Sequence, residues 1–215
     1  MTSSVAGEGK STTVSNLAVA LALAGRDVVL VDLDLRRPAI SRIFDLPRAP
    51  GIVEVARGIA ELEAAMQVVP LVRDNDRGGS AAPERSSSRG TLRVITAGNT
   101  LAADTEAVVT GTDLPAALAS LRQLSDVVLI DTPPILQTGD ALTLSPYVDG
   151  LIFVAQTRRY RRLYAREIAR RLAFSSATPI GLVVIGEPHE LEPARRSPYG
   201  PRHELNPDVQ GFGRA

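Results

Sequence analysis

Short, uninterrupted apolar runs alternate along the chain with longer segments in which apolar residues recur every three or four positions. The clearest runs are Asp27-Val28-Val29-Leu30-Val31-Asp32 and Val127-Val128-Leu129-Ile130-Asp131, each closed by an aspartate. A strand that is apolar at every position is buried on both faces, as in a parallel sheet covered by helices. Leu92–Ala97, Asp149–Gln156 and Ile180–Ile185 predict further strands. Helical spacing predicts Ser11 to about Ala24, capped by Gly25, and Asp113–Leu124, with Asp113 at its start and Pro115 in its first turn. A third helix runs from about Arg158 to Phe174, with Tyr160, Leu163, Tyr164, Ile168 and Leu172 on one face. Residues 39–66 read as short helices broken by Pro47, Pro50 and Gly51. The alternation predicts an α/β fold: a mostly parallel sheet with helices on both faces. It spans residues 1–186, with a disordered polar loop at 73–90 and a flexible tail at 187–215.

The most informative stretch precedes the first helix: Ser3-Ser4-Val5-Ala6-Gly7-Glu8-Gly9-Lys10-Ser11-Thr12. Gly7 and Gly9 let backbone N–H groups turn inward around phosphate oxygens. Lys10 then reaches the terminal phosphates, the Ser11 hydroxyl is placed to ligate Mg²⁺, and the helix adds its positive end. The general phosphate-loop pattern has glycine where Ser4 stands, and alone the run also suits an ordinary glycine-rich helix start. Composition shifts the balance. Of 24 basic Lys and Arg residues, 23 are arginine and the only lysine is Lys10.

Asp32 and Asp34 alternate onto one side at the carboxyl end of their strand, where open α/β sheets bind ligands. Adjacent carboxylates repel unless a cation lies between them, and nucleotide-bound Mg²⁺ supplies one. Asp131, stopped at its strand tip by Pro133 and Pro134, has the pattern of a Walker B carboxylate.

Composition removes several alternatives. The sequence contains no cysteine, so thiolate catalysis and cysteine metal sites are excluded; both histidines, His189 and His203, lie in the tail. Formal net charge is zero, which gives no global field toward nucleic acid, and no nucleic-acid partner is expected. Neither a signal peptide nor an apolar run of spanning length is visible, which predicts a cytoplasmic chain. The helix at 158–174 carries seven arginines against one acid, Glu167. Either it is a solvated outer face, or it docks to acidic lipid or an acidic partner.

Taken in order, three motifs resemble the bacterial tyrosine kinases of capsule and exopolysaccharide synthesis, a branch of the deviant-Walker P-loop ATPases. Ser3–Thr12 is similar to their Walker A, Val29–Pro38 to their A′ motif, and Asp126–Pro134, with its Asp-Thr-Pro-Pro ending, to their Walker B. Softer similarity covers Phe44–Gly58 and Asp140-Ala141. The septum-site and partition ATPases carry a signature lysine where Val5 stands, which favours the kinase branch.

The resemblance implies a P-loop fold that binds ATP and Mg²⁺ through Gly7, Glu8, Gly9, Lys10, Ser11 and Thr12. It implies Lys10 on the β- and γ-phosphates, and Ser11, Asp34 and Asp131 around the metal. Asp32 is expected to accept the tyrosine proton, with Arg36 or Arg37 adding positive charge. It further implies autophosphorylation that governs polysaccharide export, self-association, and a Wzz-like membrane adaptor, fused upstream or separate, that keeps the kinase at the inner face of the cell membrane. Ala6 stands at the family's loop proline, Ile185 at an adenine-reading asparagine, and Tyr199 alone represents the usual tail tyrosines. Asn99–Gly111 also differs in character from the family's segment there. A nucleotide-switched positioning ATPase and a degenerate nucleotide-binding regulator are the alternatives.

Only Met1 and Thr2 precede the loop, too few for the usual first strand of about five residues. The expectation is that this strand is missing. It should be encoded upstream in frame, and its absence should leave the strands of Asp32 and Asp131 with unpaired edges.

Overall fold

The computed structural model describes residues 1–71, 90–100, 104–157 and 162–186. The loop expected at 73–90 lies outside the described residues apart from Gly90, and so does the tail from residue 187.

The chain begins with a two-residue strand, Thr2–Ser3 (β1), then enters the loop and the helix Lys10–Leu23 (α1). Val28–Asp32 (β2) follows, then three short helices, Ile40–Ile43 (α2), Ile52–Ala56 (α3) and Leu62–Ala65 (α4). Gln67–Val68 (β3), Leu92–Ile95 (β4), Asp104–Thr110 (α5), Asp113–Leu124 (α6) and Val127–Asp131 (β5) come next. Asp140–Thr143 (α7), Gly150–Gln156 (β6), Arg162–Leu172 (α8) and Thr178–Ile185 (β7) complete the described chain.

The strands form two ladders, β3-β4-β2-β5 and β1-β6-β7, parallel throughout except for β3. β1 joins them. Thr2 and Ser3 stand opposite Phe153 and Val154 of β6. On the other side the Met1 amine donates to the Ile130 carbonyl at 2.5 Å, and the Thr132 and Ile135 amides donate to Met1 and Ser3 at 3.1 and 2.8 Å. One expectation is corrected here. β2 has no unpaired edge, because it lies between β4 and β5 and pairs with both. The discontinuity lies between β5 and β6.

Alternation along β2 explains the layering. Val28 and Leu30 point to one face and pack with Val14, Ala18 and Ala22 of α1. Val29 and Val31 point to the other, against Leu114, Leu118 and Leu121 of α6 and Val108 of α5. Burying both faces of the strand is why its sequence is apolar at every position. A third cluster seats Leu151, Phe153 and Ala155 of β6 against Ile168 of α8, with Tyr164 and Leu172 packed alongside.

Besides β1 and α7, which the sequence pattern did not predict, two more elements escaped it. β3 is two residues long, too short to carry an alternation. α5 has only Val108 and Val109 as large apolar residues, so its helix rests on packing against the core rather than on periodicity.

Candidate nucleotide site

The loop from Ser4 to Gly9 hangs from β1 and turns directly into α1. Gly7 and Gly9 both adopt φ of 82°, a left-handed conformation that favours glycine. A Cβ on Gly9 would also lie 2.9 Å from Cδ1 of Ile185, so the last strand closes on the loop. No side chain caps the start of α1, and its first turn holds no acid. Its leading N–H groups therefore present an uncapped positive end.

Glu8 is not where a phosphate-facing side chain would be. It is 1% exposed and turned inward. Its Oε2 accepts the Ser4 amide at 2.7 Å, the Ser4 hydroxyl at 2.6 Å and the Val5 amide at 2.9 Å. Its Oε1 accepts the Gln156 amide of β6 at 3.4 Å. Only the backbone amide of Glu8 remains for an anion, while the carboxylate braces the first half of the loop. A lone acid inside a phosphate loop was the available signal for this role. Hydrogen bonds to a charged acceptor contribute about 1.5–3 kcal/mol each. Glu8→Ala is therefore expected to lower stability by about 3 kcal/mol and to weaken nucleotide binding, read by thermal unfolding and calorimetry.

Lys10 is 6% exposed and extends toward the strand ends. Its ammonium donates to Asp131 Oδ1, lies 3.3 Å from Asp34 Oδ2, and reaches the Ser11 hydroxyl at 3.4 Å. In the β2–β5 ladder Asp32 stands directly opposite Asp131, so neighbouring parallel strands end with their carboxylates side by side. The structure brings Lys10, Ser11, Asp32, Asp34 and Asp131 together at the carboxyl edge of the sheet. Thr12 is exposed on α1, and Arg36 and Arg37 are exposed beyond the cluster, with Arg36 Nε 3.9 Å from Asp140 Oδ2.

Asp32 is wholly buried, and its oxygens accept the amides of Asp34, Ala39 and Ile40 at 3.2, 3.1 and 3.1 Å. Burial, followed by the negative charge of Asp131, pushes its carboxyl up to about 7. The Ile40 amide and the Lys10 charge only partly offset them. Burial also raises Asp34, against the pull of Lys10.

The donor set suits Mg²⁺. Asp131 is fully buried and its Oδ2 has no hydrogen-bond partner among the described residues, an acceptor that a cation would satisfy. Among the described residues no three acidic or histidine side chains form a metal-holding group by themselves, and the Lys10 ammonium contacts both Asp34 and Asp131. Mg²⁺ is characteristically held by one or two carboxylates together with phosphate oxygens and water, not by an all-protein cage.

A glycine loop opening a helix, a lysine folded back to strand-end carboxylates and a parallel sheet with covered faces define a P-loop nucleotide-binding protein. The model of the ParA family, described as NUBPL iron-transfer P-loop NTPase, matches residues 1–185. The tyrosine-protein kinase YwqD of Bacillus subtilis is 29% identical over 210 residues, 93% of this chain and 75% of that protein. The solved kinase domain of VpsO superposes with a TM-score of 0.69 at 30% identity, over 85% of this chain and 81% of that one. ExoP of Rhizobium meliloti, a succinoglycan biosynthesis transport protein, is 23% identical over 178 residues, 82% of this chain but 20% of that longer protein. The chain belongs to the ParA-type P-loop NTPases, in their bacterial tyrosine-kinase branch.

Proposed function

We propose that the chain is an ATP-dependent protein-tyrosine kinase that phosphorylates its own kind and regulates the synthesis and export of a polysaccharide. The observation that carries this reading is the convergence of Lys10, Ser11, Asp32, Asp34 and Asp131 beneath a glycine loop. Its support from relatives is the shared descent with YwqD and the VpsO kinase domain. The polysaccharide role rests on the likeness to ExoP.

Phosphoryl transfer asks a protein for positioning and charge neutralisation more than for covalent chemistry. The loop amides and the α1 terminus cradle the phosphates of ATP. Lys10 moves from its carboxylate partners to the γ-phosphate and neutralises charge that develops there. Ser11, Asp34 and Asp131 would hold Mg²⁺, which when bound screens the phosphate oxygens. Asp32, with its carboxyl near 7, accepts the proton of the attacking tyrosine hydroxyl. The acceptor is Tyr199, which lies outside the described residues; Tyr164 packs against the third core cluster.

Among the described residues no helix is long and apolar enough to cross a membrane. A Wzz-like adaptor, separate or fused, would hold the kinase at the inner face of the cell membrane, and the support for it is that the match covers 20% of the much longer ExoP. Self-association would bring the tail tyrosine of one copy to the site of another.

A second reading, a nucleotide-switched positioning ATPase, draws on the ParA family match. The iron transfer in that family description finds no thiolate ligands in a chain without cysteine. Incubation with radiolabelled ATP and Mg²⁺, followed by phosphoamino-acid analysis, separates these readings. Phosphotyrosine, mapped to Tyr199, is the expected result. Released phosphate without labelled protein would sink the kinase reading in favour of the switch, and neither product would indicate a binding-only regulator.

A further inference from the structure

The loop that leaves β1 divides the carboxyl edge of the sheet. On one side lies β5, with Lys10 turned toward Asp131 and Asp34. On the other lies β6, paired with β1 at Phe153 and Val154, and beyond it β7. These two strands end at Gln156 and Ile185, which stand opposite each other in register. A nucleotide whose terminal phosphate lies on the Lys10 side extends its base past the loop, toward those two strand ends. What they present decides which base is held.

β7 presents nothing polar there. Ile185 is aliphatic, and its Cδ1 would lie 2.9 Å from a Cβ on Gly9. β6 presents Gln156. Its backbone amide donates to Glu8 Oε1 at 3.4 Å, which ties the residue to the loop. Its side chain runs beside Gly186, where an added Cβ would stand 3.5 Å from Cγ and 3.6 Å from Nε2. Gly186, at φ 83°, is held in place by Thr157, whose hydroxyl donates to the Gly186 carbonyl at 2.8 Å and whose amide donates to the Ile185 carbonyl at 3.1 Å. The carboxamide is therefore positioned by its surroundings. Its Oε1 is buried and has no hydrogen-bond partner among the described residues. A buried acceptor without a partner is costly, and a donor on a ligand would satisfy it. Unlike Asp131, a carboxamide carries no charge to offer a metal ion, so an N–H group suits it better than a cation.

We propose that Gln156 reads the base of the nucleotide: Oε1 accepts a hydrogen bond from the exocyclic amine of adenine, and Nε2 donates to a neighbouring ring nitrogen. A carboxamide matches adenine bidentately in this way. A purine that lacks the amine leaves Oε1 orphaned, and that difference is the source of selectivity. The inference rests on the nucleotide-binding part of the proposed function and deepens it; it does not depend on tyrosine being the acceptor.

Calorimetric titration of the full chain in the presence of Mg²⁺ tests it with two ligands, ADP and purine riboside diphosphate, which is ADP without the exocyclic amine. The parent is expected to bind ADP about tenfold more tightly than the analogue. Gln156→Leu should erase the preference, with ADP affinity falling about tenfold to meet that of the analogue. Gln156→Glu keeps an acceptor oxygen and should keep the preference, although its charge weakens both ligands. The ratio of the two affinities is the readout, because a variant that merely loosens the loop weakens both ligands together and leaves the ratio unchanged. Equal binding of both ligands by the parent, or an intact preference in Gln156→Leu, would overturn the inference and leave the nucleotide site standing. Binding of neither ligand by the parent would overturn the nucleotide site and the inference with it.

Discussion

Lys10→Met is expected to abolish phosphoryl transfer and, at the same time, to loosen the fold. The first effect follows from the loss of the only lysine in the chain at the phosphate loop. The second comes from the structure. The Lys10 ammonium contacts Asp131 and lies 3.3 Å from Asp34, and both carboxylates are buried. Removing one partner of a buried pair leaves an uncompensated charge and costs about 3–5 kcal/mol. The deficit should be larger at pH 8 than at pH 5, because burial raises the Asp34 carboxyl and its protonation relieves part of the deficit. Arginine should fail nearly as badly in activity, since its planar fork does not fit a slot shaped for a compact ammonium. Autophosphorylation assays and thermal unfolding at the two pH values measure the two effects separately. Wild-type turnover in Lys10→Met would remove the phosphate-loop assignment; unchanged stability would mean the carboxylates are balanced by another route.

The second large effect separates two neighbouring aspartates. Asp32→Asn should lower the transfer rate by about 10²–10⁴, the usual worth of a positioned base, while Mg²⁺-ADP affinity stays nearly constant. Asp34→Asn should weaken that affinity on the order of tenfold, equivalent to about 1.4 kcal/mol. Calorimetric titration beside single-turnover kinetics distinguishes them, and an equal loss of affinity in both variants would end the division of roles. The pH dependence has a definite sign. The Asp32 carboxyl, near 7 in the folded chain and about 4 when unfolded, binds its proton more tightly when folded. Its contribution to stability is complete below about 4 and is lost as pH rises through about 7. Asp32→Asn should therefore flatten stability across that window and gain on the parent above it. If the parent's stability is equally flat there, the buried carboxyl is not titrating as described.

Much of this site could be read before any fold was known, for identifiable reasons. Asp32 and Asp131 end runs that are apolar at every position, and a charge that stops such a run has to lie at the strand's tip. The glycine loop is local, so Gly7, Gly9 and Lys10 announce themselves through spacing. What was not legible depends on partners distant in sequence. Nothing in either run reveals that β2 and β5 are neighbours in register, which sets Asp32 beside Asp131 and closes the edge of β2 that was expected to stand open. Glu8 is turned inward mostly by the Ser4 and Val5 groups beside it, and the one longer bond it accepts from the Gln156 amide, 148 residues away, was not legible. The Lys10–Asp131 contact spans 121 residues. Helix α5 was missed because its seven residues form through packing rather than through a pattern of their own.

The pairing of β2 with β5 makes the two halves of the site unequal in durability. The carboxylate half is a property of a five-residue ladder whose strands are covered on both faces by core side chains. The phosphate half is a loop held by a few hydrogen bonds and attached to a two-residue strand. Local opening should therefore release the loop while the spacing of Asp32 and Asp131 persists. A nucleotide leaving by such an opening would return to acidic groups that never lost their places. Amide exchange should be slowest at Val31 and Leu129, within the β2–β5 ladder, and orders of magnitude faster at Gly7 and Gly9; comparable rates at all four would mean that the site opens as one unit.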